Sequence, residues 1–561
     1  KYIACLLSLA VVSGCDSILD KGPLDSFTND NFWTGEGNIS GYANAFYEQF
    51  LGYGNGNGYG DFYFKTLSDD QAGMSFAKWT YPDNAPSTSA TWKNGWIEVR
   101  RANIMLENVP TVASLDEATK NHWLGVARLM RAWQYYHLVR MYGNLPWIDK
   151  ALNINDEGEI YGNREDRDMV MDKVLEDLDF AVTNIKDISS KTTWSRSLAN
   201  AMKAEVCLYE GTFRKYRKNE DGQQAPDATG AARYLTACKE ACLAVMSKGY
   251  KLNTSYQGNY NSTDLSSNPE MILYKAYKEG LLMHSTIDYT CSSTQISGMS
   301  KNAFESYLFK DGKPMALTSL NKSDEAPFQY GHLSLKAILA VRDKRLAQTI
   351  DTVLLYNGRG FTRFNTGMES TSSTGYGVAK YDNEAIPEGF RSQSGKNYTH
   401  APLFWLSVIY LNYAEACAEL GNITQDDLDK SINLLKDRAG LPHLNPIVGF
   451  SDPANNHGVS DLIWEIRRER RCELMFDNDN RYWDLIRWHQ LDKLDTTKYP
   501  DIILGANVAN DMDGCEANKV GKYIDGSKDG SRIYDKKHYL YPIPTGQIAL
   551  NPQLAPNNPG W

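Results

Sequence analysis

Arg128-Leu129-Met130-Arg131-Ala132-Trp133-Gln134-Tyr135-Tyr136-His137-Leu138-Val139-Arg140-Met141-Tyr142 carries apolar side chains at 129, 132/133, 136 and 139. A helix turns once in about 3.6 residues, so this spacing lines one helical face. Gly143-Asn144-Leu145-Pro146 follows, a glycine and then a proline, which is how a helix is brought to a stop. One such face cannot be buried without neighbours, so the rest of the chain has to supply them.

Neighbours of the same kind recur. Met169 to Ile185 repeats the period with Val170, Val174, Leu175, Leu178 and Ala181. Leu198 to Gly211 and Ala231 to Lys248 form a second pair that ends at Gly249, and Phe404 to Leu420 with Leu428 to Arg438 a third, closed by Gly440. Helix–turn–helix units at spacings of roughly thirty-odd residues predict a mainly α, tetratricopeptide-like array in which stacked pairs share one core. Between them run two long segments of another character. Residues 52–96 open on Gly52-Tyr53-Gly54-Asn55-Gly56-Asn57-Gly58-Tyr59-Gly60 and continue through Trp79, Tyr81, Pro82, Pro86, Trp92 and Trp96. Residues 250–400 are rich in Ser, Gly, Asn and Tyr without a sustained period, and 441–460 and 495–561 are irregular as well. Long aromatic-rich loops point to function rather than disorder.

Composition narrows the chemistry. Lys and Arg number 59 against 69 Asp and Glu, a net charge of −10 over 561 residues. Nucleic acid is therefore excluded as a partner, because phosphate binding needs a clustered surplus of cations. The 34 Tyr and 13 Trp exceed what a core requires, and their rings suit hydroxyl-rimmed ligands that also show a C–H face. Trp79, Tyr81, Trp96 and Tyr289 sit in loops or at a helix start, and we take them as candidate ligand platforms, with Asp69 and Asp70 as acceptors for sugar hydroxyls. Trp92 and Trp96 stand together where a helix begins. The run Arg467-Arg468-Glu469-Arg470-Arg471 spreads its charges around a helical cylinder, with Glu473 nearby, which argues against a phosphate or membrane patch.

No Gly-x-Ser-x-Gly, His-Glu-x-x-His or phosphate loop occurs. Glycosidase chemistry needs two carboxylates about 5–9 Å apart, and nothing in the sequence singles out such a pair. No cofactor is expected. Asp511-Met512-Asp513-Gly514 resembles part of a calcium loop, but Ala509 and Val520 stand where ligands belong, so a structural calcium ion has no complete motif behind it. Cys238 and Cys242, four apart on a helical stretch, read as buried thiols rather than half of a zinc site.

At the start of the chain, Tyr2 to Val12 is an apolar run too short for a membrane span, which needs about twenty residues. Val11-Val12-Ser13-Gly14-Cys15 resembles a bacterial lipobox. We expect a signal peptide over 1–14 and lipidation at Cys15, the alternative being an ordinary signal that happens to contain a cysteine.

A family resemblance runs the length of the chain. Cys15-Asp16-Ser17-Ile18-Leu19-Asp20-Lys21-Gly22-Pro23, with Asn31-Phe32-Trp33, looks like the mature N-terminus of the SusD/RagB family. Arg131 to Pro146 resembles its first long repeat helix, and Arg342-Asp343-Lys344-Arg345-Leu346 its Arg-Asp-Pro-Arg-Leu element, with Lys344 in place of proline. Glu473-Leu474-Met475-Phe476 and Arg481-Tyr482-Trp483-Asp484-Leu485-Ile486-Arg487-Trp488 are similar to its late helical signature, though the linker Asp477 to Asn480 is longer than the common form. Tyr541-Pro542-Ile543-Pro544, Asn551-Pro552 and Asn558-Pro559-Gly560-Trp561 match its ending. The resemblance implies one SusD-like domain over 15–561: helix pairs with the 52–96 insertion in 15–250, a loop-rich part over 250–400, and a helical part with a tail over 401–561. It also implies about four tetratricopeptide-type pairs, a packed aromatic pair at the helix start that makes Trp92 core, and internal ion pairs for the run Arg467 to Arg471. It implies an outer-membrane, surface-exposed lipoprotein of Bacteroidetes, held to the membrane only by its lipid anchor. Such a protein would cap a SusC-like TonB-dependent transporter and bind oligosaccharides without catalysis. Capture of peptides or another nutrient on the same scaffold is the alternative, and a glycoside hydrolase a more distant one.

Overall fold

The computed structural model describes residues 32–64, 67–73, 79–291, 297–320, 334–355, 372–477, 480–509, 519–527 and 530–561. The expected signal segment 1–14, the lipidation position Cys15 and the acidic run 511–514 lie outside these residues.

The frame is built by helices α1 (Glu36–Asn44), α2 (Ala90–Asn108), α3 (Glu117–Tyr142), α4 (Arg167–Asn184), α5 (Arg196–Tyr216), α6 (Ala228–Met246), α7 (Leu406–Glu419), α8 (Ile432–Ala439), α9 (Asp461–Glu473) and α10 (Asn480–Arg487). Short polar side chains fix where they begin. Asp116 accepts from the Thr119 N–H at 2.7 Å, Ser195 from Leu198 at 3.2 Å and Asp227 from Gly230 at 2.9 Å. Each satisfies a backbone donor that the first helical turn leaves without an intrahelical partner. Gly143, at φ +71°, closes α3 where the sequence puts the stop.

The helices stack in the predicted pairwise way: α3 packs between α2 and α4, α5 on α6, α6 on α7, and α7 on α9. One hydrophobic core runs through them from Ile39 to Leu554. Cys238 and Cys242 are fully buried within it and unbridged, as the sequence reading expects. Helix boundaries differ from expectation by a few residues in several places: α5 runs to Tyr216, five residues beyond the expected Gly211, and the last pair differs most. Phe404 and Trp405 end a strand and are not the first turn of α7, and the expected helix over 428–438 is divided into Gln425–Asp429 and α8.

Strands are short. β1 (Gln71–Ala72) pairs with β3 (Gly298–Met299), β2 (Met271–Lys275) with β4 (Ala401–Trp405), and β5 (Leu504–Asn507) with β7 (Tyr523–Asp525), which also holds β6 (Lys519–Val520). All are antiparallel, with Met271 opposite Trp405 in the β2–β4 ladder. These ladders tie the excursions between helices to one another.

The arginine run of α9 is internal. Arg467 meets Glu419 at 3.0 Å, Arg470 meets Asp484 at 2.8 Å and Arg471 meets Asp70 at 2.7 Å, while Arg468 pairs with Asp452 and Glu465. Arg345, from the Arg-Asp-Lys-Arg element, is held by Asp343 at 2.7 Å, Glu469 at 2.5 Å and Glu473 at 2.8 Å, all of them buried. Arg487 grips Glu415 through two bonds of 2.6 and 2.7 Å. Burial pushes the Glu415 carboxyl up, but Arg487 outweighs it and brings the group down to about 2. Buried pairs of this kind add little net stability yet are costly to break, so they fix the geometry of the frame.

Among the described residues no helix is long and apolar enough to cross a membrane. Nor is any group of three or more His, Cys, Asp or Glu side chains among them arranged to hold a metal ion.

Candidate functional site

The glycine-rich run folds into a loop whose backbone crosses itself. Asp61 N–H donates to the Gly52 carbonyl at 2.8 Å and Gly58 N–H to the Asn55 carbonyl at 2.9 Å. At Gly60 a Cβ would lie 2.2 Å from the Gly52 carbonyl oxygen and 2.4 Å from the Tyr53 carbonyl carbon, so no larger residue fits this crossing. Gly54 stands at φ +88° beside the Gly58 carbonyl for the same reason. Two rings point inward and anchor the loop. Tyr53 is buried, with its hydroxyl on the Tyr260 carbonyl at 2.5 Å, and Phe62 packs beside it at 5.1 Å.

A third ring points outward. Tyr59 is 60% exposed and stacks on Phe64 with centroids 4.6 Å apart and planes 13° from parallel. Tyr289 meets both edge-on at 5.7 Å, and its hydroxyl lies 3.5 Å from the Asn57 carbonyl.

Tyr289 rides on the short helix Thr286–Cys291, which is fixed from beneath. Asn397 Oδ1 accepts from the Ile287 and Asp288 N–H groups at 3.0 and 3.2 Å, and His284 exchanges backbone hydrogen bonds with Asn397 at 2.8 and 2.9 Å. Burial brings the His284 imidazole down to about 3, so it stays neutral and serves as scaffold. Ser285 Oγ donates to the Gly56 carbonyl at 2.7 Å and accepts from Gly395 N–H at 2.6 Å, which clips the 52–64, 284–291 and 393–397 segments together. The result is an aromatic patch backed by rigid loops and bordered by the exposed side chains of Asn55, Asn57 and Ser394. Chemically it offers π faces to C–H surfaces and amide or hydroxyl groups to a polar rim.

The other expected ligand residues are placed differently. Tyr81, expected to be exposed, is only 8% so. It stacks on Tyr541 at 4.1 Å, and its hydroxyl bonds to Tyr482 and to the His538 carbonyl. Trp79 is half-buried, stacked on His538 at 4.1 Å and donating to the Ile533 carbonyl at 2.7 Å. These rings fasten the C-terminal tail. Trp96 lies half-buried along α2, edge-on to Trp92 at 5.6 Å and to Tyr135 at 5.9 Å, and Trp92 is core as expected.

Asp69 and Asp70 are buried at 2% and 4% exposure and spend their oxygens on arginines. Arg481 donates twice to Asp69 at 2.6 Å, and Arg471 to Asp70 at 2.7 Å. Burial pushes both carboxyls up. For Asp69 the neighbouring Arg471 and Arg481 prevail and hold it well below the usual carboxylate range, whereas for Asp70 burial prevails. Of the sequence candidates, only Tyr289 meets exposed aromatic partners. Tyr59 and Phe64 are the members that sequence reasoning missed. Their signal was an aromatic set among glycines and asparagines, where no helix or strand period can claim it.

Residues 244–561 match the family model of the SusD family, and residues 28–208 match one described as starch-binding associating with outer membrane. The SusD-like protein P38 of Formosa agariphila is 24% identical over 496 residues, covering 86% of this chain and 90% of that protein. A SusD-like carbohydrate-binding protein from Bacteroides fragilis superposes with a TM-score of 0.69 at 20% identity, over 93% of this chain and all of that one. A laminarin-binding SusD-like protein superposes with a TM-score of 0.55 at 20% identity, over 94% of this chain and 100% of its own.

Proposed function

The chain belongs to the SusD family, and from that premise we propose that it captures glycans on the Tyr59–Phe64–Tyr289 patch and hands them on without altering them. The observation that carries this reading is the exposed Tyr59 ring, braced from behind by Phe64 and from the side by Tyr289. A pyranose covers such a face with its C–H side and turns its hydroxyls toward polar neighbours. Two or three such contacts with a few hydrogen bonds amount to roughly 4–8 kcal/mol, a millimolar to micromolar site. Affinity in that range suits a protein that must release its cargo. Among the proteins of similar fold, one is a carbohydrate-binding and one a laminarin-binding SusD-like protein, which supports a glycan over a peptide.

The same reading places the protein at the outer membrane through a lipid on Cys15, delivering to a SusC-like TonB-dependent transporter. The description "associating with outer membrane" supports that location. The test is affinity electrophoresis and calorimetry of the chain from Asp16 onward against laminarin, xyloglucan, starch and host polysaccharides. The expected result is retardation by at least one of them that disappears in Tyr59→Ala. If no polysaccharide retards the protein while a peptide library does, the ligand class is wrong. Release of reducing ends on incubation would make the protein a hydrolase. Radiolabelled palmitate entering the full-length protein but not Cys15→Ser tests the anchor.

A further inference from the structure

A second cavity, of about 430 Å³, shares no lining residue with the aromatic patch. It lies among α9, the residues that follow α10 and the loop at 452–456, and its size falls in the range of about 300–1,000 Å³ usual for small-molecule sites. Trp464 and Trp488 supply apolar wall, and Arg467, Arg481 and Lys493 bring positive charge.

The carboxylates on this wall are engaged. Asp69 is held by Arg481 at 2.6 Å, Glu305 by Lys301 at 2.8 Å, Asp452 by Arg468, and Asp501 accepts from Asn302 Nδ2 at 2.6 Å. The unmet capacity is on the cationic side. Arg467, 4% exposed, spends Nη2 on Glu419 at 3.0 Å, while its Nε and Nη1 have no hydrogen-bond partner among the described residues. Its guanidinium is fixed against the rings of Trp488 at 4.3 Å and Tyr216 at 4.9 Å.

Lys493, on the turn Leu491–Leu494, is 9% exposed, and its ammonium makes no hydrogen bond or ion pair among the described residues; its Nζ stands 4.7 Å from the Trp464 ring. Burial, and then the positive field of Arg481, brings this lysine down to about 7. Cations left unpaired in such surroundings are costly, and a bound anion removes the cost. A merely structural Lys493 would be expected to have found a carboxylate, as the other basic groups of this wall have.

We propose that this cavity is an anion site for a small organic ligand bearing an oxyanion group, carboxylate or sulfate, with Lys493 and Arg467 as its charge partners and Trp464 and Trp488 as its walls. The site is separate from the glycan patch and stands whether or not that patch binds glycan.

The test is thermal unfolding of the intact chain at constant ionic strength with glucuronate, inorganic sulfate, neutral glucose or chloride. Glucuronate or sulfate should raise the midpoint by about 1–3 °C at roughly ten times its Kd, whereas glucose and chloride should not. A larger response to glucuronate assigns part of the binding to the organic body, and an equal one assigns it to the oxyanion alone; either supports the site. Lys493→Met should fold with an unchanged or higher midpoint, since it removes an unpaired cation, and should lose the response. Lys493→Arg should keep it, and so should Tyr59→Ala. A wild-type response no larger than that to chloride overturns the proposal, as does a Lys493→Met variant that still responds.

Discussion

Replacing Tyr59 by alanine isolates the proposed glycan patch from everything else the fold does. The ring is 60% exposed, one face lies on Phe64 and an edge meets Tyr289, so its opposite face is the surface a sugar can cover. Covering that face removes about 60 Å² of apolar area from water, worth about 1.5 kcal/mol. The ring-specific contact adds about 0.5–1.5 kcal/mol. Loss of the ring should therefore weaken binding by about 2–3 kcal/mol, or roughly 30- to 150-fold in Kd. Among the described residues the Tyr59 side chain makes no hydrogen bond, so the variant should keep the stability of wild type to within about 0.5 kcal/mol.

Calorimetry against whichever polysaccharide retards the wild type supplies the affinity, and thermal unfolding supplies the control. Trp79→Ala and Trp96→Ala belong in the same series, because their rings are spent on His538 and on Trp92 with Tyr135. Both should bind within about twofold of wild type provided they fold. A Tyr59→Ala protein that binds normally, next to a folded Trp79→Ala or Trp96→Ala protein that does not, would refute the placement of the site while leaving its ligand class intact.

Gly60→Ala should abolish glycan binding without a global loss of fold, since its Cβ would strike the Gly52 carbonyl and force the loop carrying Tyr59 to open; a crystal structure of the variant, or its unchanged affinity, decides the matter. Arg345→Met leaves Asp343, Glu469 and Glu473 facing one another in the core and should cost about 3–5 kcal/mol in urea unfolding; a loss below about 1 kcal/mol would mean the network is slack. Glu415 titrates near 2 in the fold against about 4.5 when unpaired, so its contribution of about 3 kcal/mol is present above that ordinary value and disappears as pH falls from about 5 toward 2. Glu415→Gln should lower stability at neutral pH and flatten its pH dependence in that window, and an unflattened slope assigns the acid sensitivity to other carboxylates.

What the sequence made legible was whatever its neighbours in the chain decide. The end of α3 follows from Gly143 and Pro146 alone; one α-helix cannot present Arg467 to Arg471 to the same side, which rules out a single patch, and the family resemblance supplies the internal ion pairing. The start of α7 was misread because Leu403-Phe404-Trp405-Leu406 is an apolar run that suits a strand or a buried helix equally. Its strand character comes from pairing with Met271–Lys275, a partner far away in sequence. The placement of the candidate site residues rests on contacts remote in sequence. Tyr81 looked exposed beside Pro82, and Tyr541 at the other end of the chain covers it. Tyr59 and Tyr289 share no local pattern, and the Ser285 clip brings them together only in the folded protein.

This division between frame and patch has a physical consequence for how such a protein can change its ligand. The motif residues that carry the family resemblance, Arg345, Glu473, Asp484 and Arg487 among them, are buried and committed to one another. Substituting any of them strands a charge, so the frame resists change. The patch is joined to that frame by the inward rings of Tyr53 and Phe62 and through backbone groups: Ser285 binds the carbonyl of Gly56 and the N–H of Gly395, and Asn397 binds the N–H groups of Ile287 and Asp288. Backbone clips hold a loop in place whatever outward side chain it carries. Tyr59, Asn55 and Asn57 can thus be exchanged at little cost to folding, while Gly54 and Gly60, which the crossing requires, cannot. On the proposed reading, ligand choice on this scaffold falls to a few exposed side chains on loops whose shape is fixed from below. A graft of outward residues at 55, 57, 59 and 289 from a relative that binds a different glycan should therefore transfer preference without lowering the unfolding midpoint. A graft that folds normally yet keeps the original preference would place specificity outside the patch.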